Sequence, residues 1–253
     1  MKNLSILLSE ETEGVEVLQE KDSLCESRFT VDHTAETRQF FIQTNAPFQT
    51  KFNHDAQRRR YQDYLVNPRQ IVESKDYPTL YSNHTWFDAL YALAIEEVRQ
   101  CSVSEIKDSA YRNGQGIPAP EGGYFDTGLF WTYIWTRDIS YAVHLSLATI
   151  DPIRSLNSLQ FKLSEIRAEG NPQIIQDTGT GGSYPISSDR VVWSFGCQAL
   201  LQQLQGETRK DFARCAYEAL KNTIEQDRQV IFDCQDGLYH GEQSFLDWRE
   251  QSY

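Results

Sequence analysis

Close cysteine pairs, clustered histidines, long apolar runs and an excess of basic charge are all missing from this sequence of 253 residues, and each absence removes a class of protein. The five cysteines, Cys25, Cys101, Cys197, Cys215 and Cys234, are odd in number and far apart. That spacing fits neither a disulfide framework nor a zinc site, so they are expected as buried thiols. The histidines, His33, His54, His84, His144 and His240, are equally dispersed, and His144 is expected as a core residue on an apolar helix face. No metal and no cofactor is called for. No stretch approaches the roughly twenty apolar residues that cross a bilayer, so no membrane span is expected. The run from Leu4 to Leu8, broken by Ser5, is too short for a secretion signal. The chain as it stands is therefore expected to be soluble and cytoplasmic, or periplasmic or secreted if further residues precede it. Lysine and arginine number 24 against 36 acidic residues, a net charge of −12. Such a chain repels a phosphate backbone, which excludes nucleic acid as an expected partner. The run Arg58-Arg59-Arg60 is accordingly assigned to a solvated face.

What is present is apolar and aromatic: 40% of the residues are hydrophobic and 12% aromatic, enough for a folded core in one large domain or two small ones. Residues 1–75 alternate in short stretches, Arg28–Asp32 and Gln39–Thr44 among them, which predicts an N-terminal extended or β segment. From Thr85 the spacing becomes helical, with Trp86, Leu90, Leu93, Ala94 and Val98 on one stripe. Helices are predicted over 85–101, 137–150, 152–170, 189–205 and 209–231, with a sixth segment running to Tyr253. Asp151 and Pro152 form a cap and first-turn pair for the third helix, Gly206 is expected to end the fourth, and Thr208 to cap the fifth. Short links join helices two and three and helices four and five, whereas long glycine-rich loops precede helices two, four and six. That alternation predicts stacked helical hairpins over 76–253, whose long loops share one rim.

Each long loop ends in an acid, an arginine and a tryptophan. The first cluster is Trp135-Thr136-Arg137-Asp138, the second Ser188-Asp189-Arg190 with Trp193, and the third Asp247-Trp248-Arg249-Glu250. Asp at a helix start is commonly a cap, but a cap does not require an arginine and a tryptophan each time. Converging on one pocket, the indoles would cover apolar sugar faces and the charged groups would hydrogen-bond hydroxyls. Tyr184 in the second loop and Glu242 in the third join these candidates. Glycoside hydrolysis needs two carboxyl groups, one of them protonated. Asp247 and Glu250 are the candidates here, with Phe245 and Trp248 available to exclude water and raise a pKa.

The segment from Tyr133 to Asp138, reading Tyr-Ile-Trp-Thr-Arg-Asp, resembles a W-T-R-D segment of glucoamylases and related six-hairpin glycosidases. The stretch from Glu242 to Trp248 is similar to a trehalase-like region in which an aspartate shortly after a glutamate is the general acid. The resemblance covers about residues 85–253. It implies a mainly α fold, the first half of an (α/α)6 toroid with a short N-terminal β segment. It further implies an inverting glycosidase acting on a glucoside or similar neutral sugar, with Arg137 and Asp138 holding sugar hydroxyls and Asp247 as the acid. Such toroids use about twelve helices and place the base in their later half, so the chain is expected to be a fragment that lacks its second carboxylate. Self-association, or assembly with the missing C-terminal half, is expected to cover inner-face groups such as Trp193 and Phe195. The alternatives are a noncatalytic carbohydrate-binding half-barrel and a glycan phosphorylase.

Overall fold

In the computed structural model, which describes residues 10–12, 15–19, 26–32, 37–44, 69–107, 115–128, 132–164, 170–175 and 188–240, the alternating N-terminal stretches form a five-stranded antiparallel meander. Its strands pair in chain order: β1 (Glu10–Thr12), β2 (Val15–Gln19), β3 (Glu26–Asp32), β4 (Gln39–Thr44) and β5 (Arg69–Val72). Phe29 lies opposite Ile42, and Phe40 opposite Ile71. The period of two therefore puts these apolar groups on one face of the sheet. Helix α1 (Thr85–Gln100) covers that face, its Ala89 and Ala92 buried with Phe29, Phe40 and Ile71 while Trp86 and Leu93 pack alongside. A buried arginine fastens the arrangement: Arg38 donates to both carboxylate oxygens of Glu73, at 2.8 and 2.6 Å, and to Asp88 Oδ2 at 2.8 Å. The first compact unit runs from Met1 to Arg99. The apolar stripe of α1 thus covers a sheet, where the sequence pattern assigned it to the helical region starting at 76.

The second unit, Gln100–Tyr253, is dominated by helices, with two-residue antiparallel ribbons between them. Strands β6 (Ser102–Val103) and β7 (Glu105–Ile106) pair with β9 (Tyr124–Phe125) and β8 (Ile117–Pro118), respectively. Gly123, at φ +78°, makes the return possible, because a Cβ there would stand 2.7 Å from Val103 O. Helix α2 (Thr136–Ala142) continues through a π-helical turn (Val143–Leu147) into α3 (Ala148–Ile150). Asp151 accepts the Arg154 N–H at 2.9 Å and Pro152 opens α4 (Pro152–Phe161), as the sequence predicts. Strands β10 (Leu163–Ser164) and β11 (Gln173–Ile174) follow, then a 3-10 turn (Ser188–Val192), α5 (Trp193–Gln203) and α6 (Gly206–Val230). The last ribbon is β12 (Phe232–Asp233) with β13 (Leu238–Tyr239).

The core of this unit gathers Ile134, Ile139, Val143, Leu159, Ile174, Trp193, Leu200, Phe212, Ala216 and Ala219. On α6 the buried residues Phe212, Ala216, Ala219, Thr223 and Asp227 recur at spacings of three and four, one stripe of a helix otherwise polar. Helices α2 and α5 approach closely at Gly196, where a Cβ would stand 2.9 Å from Ser140 O. No helix among the described residues is long and apolar enough to cross a membrane.

Several local expectations are corrected. The third helix stops at Phe161, because the chain turns into β10. Gly206 begins α6 and does not end α5; its φ of +59° turns the chain after Leu204, and Thr208 lies inside the first turn. His144 is exposed, set in the π turn with its ring 5.7 Å from that of Phe195. Among the described thiols only Cys197 is buried, with Cys101 and Cys215 half-buried and Cys234 exposed; Cys25 lies outside the described residues.

Candidate functional site

The start of α2 is held by contacts from the preceding loop, from α4 and from the residue after β11. Thr127 closes the preceding loop: its N–H donates to Tyr133 O at 3.0 Å, and its Oγ1 accepts the Trp135 N–H at 3.3 Å. Tyr133 and Ile134 are buried, and the Tyr133 ring meets Trp135 and Phe161 edge-on at 5.8 and 5.7 Å. Lys162, wholly buried at the end of α4, donates from Nζ to Ile134 O at 2.8 Å and lies 4.8 Å from the Tyr133 ring centroid. A carbonyl and an aromatic face together offset the desolvation of that ammonium. Thr136 Oγ1 donates to Ile175 O at 2.9 Å, tying the first residue of α2 to the residue after β11.

This frame carries Trp135, Arg137 and Asp138, all half-buried. Trp135 has extended backbone and its carbonyl accepts the Ile139 N–H at 3.0 Å, opening the helix without a side-chain cap. Asp138 stands in the first turn, where the unpaired N–H groups of a helix favour a carboxylate. An indole, a planar guanidinium and a carboxylate thus sit within four residues on a rigid support. Such a set can cover an apolar ring face and hydrogen-bond neighbouring hydroxyls in pairs.

The second predicted cluster is built differently. Arg190 is wholly buried: its guanidinium pairs with Asp227 and donates to Gln226 Oε1 at 3.2 Å. It is a core ion pair between the 3-10 turn and α6, which corrects its assignment to a sugar-binding surface. Trp193 is likewise enclosed, donating from Nε1 to Leu159 O at 3.1 Å with its ring 6.0 Å from that of Phe212. It is therefore not the uncovered inner-face group expected, whereas Phe195 is 46% exposed and stacks with Tyr141 at 6.4 Å. Asp189 lies in the 3-10 turn. Tyr184, Glu242, Asp247, Trp248 and Glu250 lie outside the described residues.

Two residues that sequence reasoning passed over matter here, Lys162 and Asp126. Asp126 follows β9, its N–H donating to Cys101 O at 2.9 Å. Its Oδ1 is buried and accepts no hydrogen bond among the described residues. Burial pushes the carboxyl up to about 6, while a hydrogen bond with Cys101 opposes the rise. Elsewhere, Asp233, Asp236 and His240 bring one ligand atom each within 4.8 Å of one another on the β12–β13 turn. All three are exposed, and the bonds of Asp233 to Gln235 N, and of Asp236 to Leu238 N and His240, are those that shape the turn itself. Comparison of the chain with protein-family models, curated proteins and solved structures finds no match.

Proposed function

We propose that this chain is the sugar-gripping part of an (α/α)-toroid glycoside hydrolase acting on a glucoside or related neutral sugar. The observation that carries the reading is the order of elements along the chain. Within the second unit a two-stranded ribbon leads twice through a long loop to a helix start, from β9 to α2 and from β11 to α5, and a further ribbon follows α6. Short links then join α3 to α4 and α5 to α6. A toroid of hairpins repeats in this manner and collects its long loops at one rim.

In this reading Trp135 covers an apolar sugar face while Arg137 and Asp138 bind hydroxyls, and Asp189, Tyr184, Glu242 and Trp248 line the same rim. Asp247 is the general acid. It must be protonated to donate to the leaving oxygen, and Trp248 beside it in sequence would help keep water away. Glu250 is the second carboxyl candidate.

The test is release of 4-nitrophenol from 4-nitrophenyl glucosides, alongside glucose binding, by the wild type and two variants. Asp138→Asn is expected to lose binding and turnover together. Asp247→Asn is expected to keep binding and lose turnover. Turnover that survives Asp247→Asn, or a wild type that neither binds nor hydrolyses, overturns the proposal. A wild type that binds glucose without turnover is the result expected of a half-toroid lacking its second carboxylate, as it is of a noncatalytic carbohydrate-binding half-barrel.

A further inference from the structure

The loop that leads into α2 has a counterpart elsewhere in the sequence. Asp126-Thr127-Gly128 is followed by Tyr133 seven residues after the aspartate and by Asp138 twelve after it. Asp177-Thr178-Gly179 is followed by Tyr184 and Asp189 at the same two distances. Asp138 stands in the first turn of α2, and Asp189 in the 3-10 turn that precedes α5. Each copy thus begins shortly after the return strand of a ribbon, β9 or β11, and ends at a helix start.

An aspartate that merely shapes a loop accepts backbone N–H groups, as Asp151 does from Arg154 and Asp236 from Leu238. The Asp126 carboxyl differs: it is hydrogen-bonded to the Cys101 side chain, and its Oδ1 is buried without a hydrogen-bond partner among the described residues. Leaving a carboxyl oxygen in that condition destabilises the fold and calls for a compensating role. The bonds of Thr127 to Tyr133 and Trp135 hold the neighbouring peptide directly against the segment that carries the indole, guanidinium and carboxylate of the α2 start.

We infer that Asp126 is a further sugar-binding residue, whose carboxyl hydrogen-bonds a hydroxyl of the sugar held by Trp135, Arg137 and Asp138. This rests on the sugar-site reading above. A carboxyl accepts hydrogen bonds at both oxygens, which matches the donor of a sugar hydroxyl.

Saturation-transfer NMR with glucose as the probe, together with thermal melting at pH 7, tests the inference on full chains of wild type, Asp126→Asn and Asp138→Asn. Wild type is expected to bind glucose, and each variant to bind about tenfold more weakly or worse. Asp126→Asn is expected to melt at or above wild type, because an amide carries no ionisation penalty. Undiminished binding by Asp126→Asn, with binding lost in Asp138→Asn, overturns the inference and leaves the sugar-site reading standing. Melting of Asp126→Asn clearly below wild type assigns the residue to the framework and overturns it as well. A wild type that does not bind glucose removes the sugar-site reading and this inference with it.

Discussion

At the start of α2 the arginine, Arg137, stays half-buried at the surface, whereas at the start of α5 Arg190 disappears into the core against Asp227. The two segments carry the same residue types after loops of similar sequence, so the difference comes from their neighbours. Helix α6 presents Asp227 and Gln226 to Arg190, and a carboxylate is what lets a guanidinium leave water. The α2 start is supported instead through backbone carbonyls, by Lys162 on Ile134 and by Thr136 on Ile175. Its Trp135, Arg137 and Asp138 stay half-buried. A shared motif therefore specifies a helix start, and the packing around it decides how deeply its charge is buried.

The largest effect should come from breaking the framework pair. Arg190→Ala strands the buried Asp227 and is expected to lower stability by about 3–5 kcal/mol in urea denaturation. Lys162→Met keeps the volume but deprives Ile134 O of its donor, with an expected loss of about 1–3 kcal/mol and a weakened start of α2. The next effect is a pH dependence. The Asp126 carboxyl is raised by burial to about 6 from the ordinary 3.8. The native state therefore takes up this proton before the unfolded chain does, so the group's contribution is complete below pH 3.8 and is lost as pH rises through about 6. Asp126→Asn should consequently match wild type most closely near pH 4 and exceed it most above pH 6.5 in paired urea melts. Arg137→Ala should change stability least, by about 0.5 kcal/mol or less. A loss there equal to that of Arg190→Ala would erase the contrast between the two helix starts.

Local signals were legible where local chemistry decides. The Asp151-Pro152 pair marks a helix start because cap and first turn lie within four residues. The strands over Arg28–Asp32 and Gln39–Thr44 follow from alternation alone. Long-range partners were not legible: Asp227 lies 37 residues from Arg190, and nothing in the periodicity of α1 distinguishes a sheet from a helix as the surface it covers. His144 was misplaced because a π turn changes the angular spacing that a helical reading assumes. Gly206 was misread because a glycine with positive φ can end one helix or turn the chain into the next. Of the candidate site, Trp135, Arg137 and Asp138 were readable as a sequential motif. Asp126 was not, because the burial of its carboxyl depends on the fold around it.

The central claim is that the α2 start binds sugar while the α5 start supports the fold. Amide chemical-shift mapping of the isotope-labelled chain during a glucose titration tests it most directly. The account predicts saturable shifts at Trp135, Arg137 and Asp138, with Arg190 and Trp193 unmoved. Shifts confined to the α5 start, or none at the α2 start at saturating glucose, would contradict it.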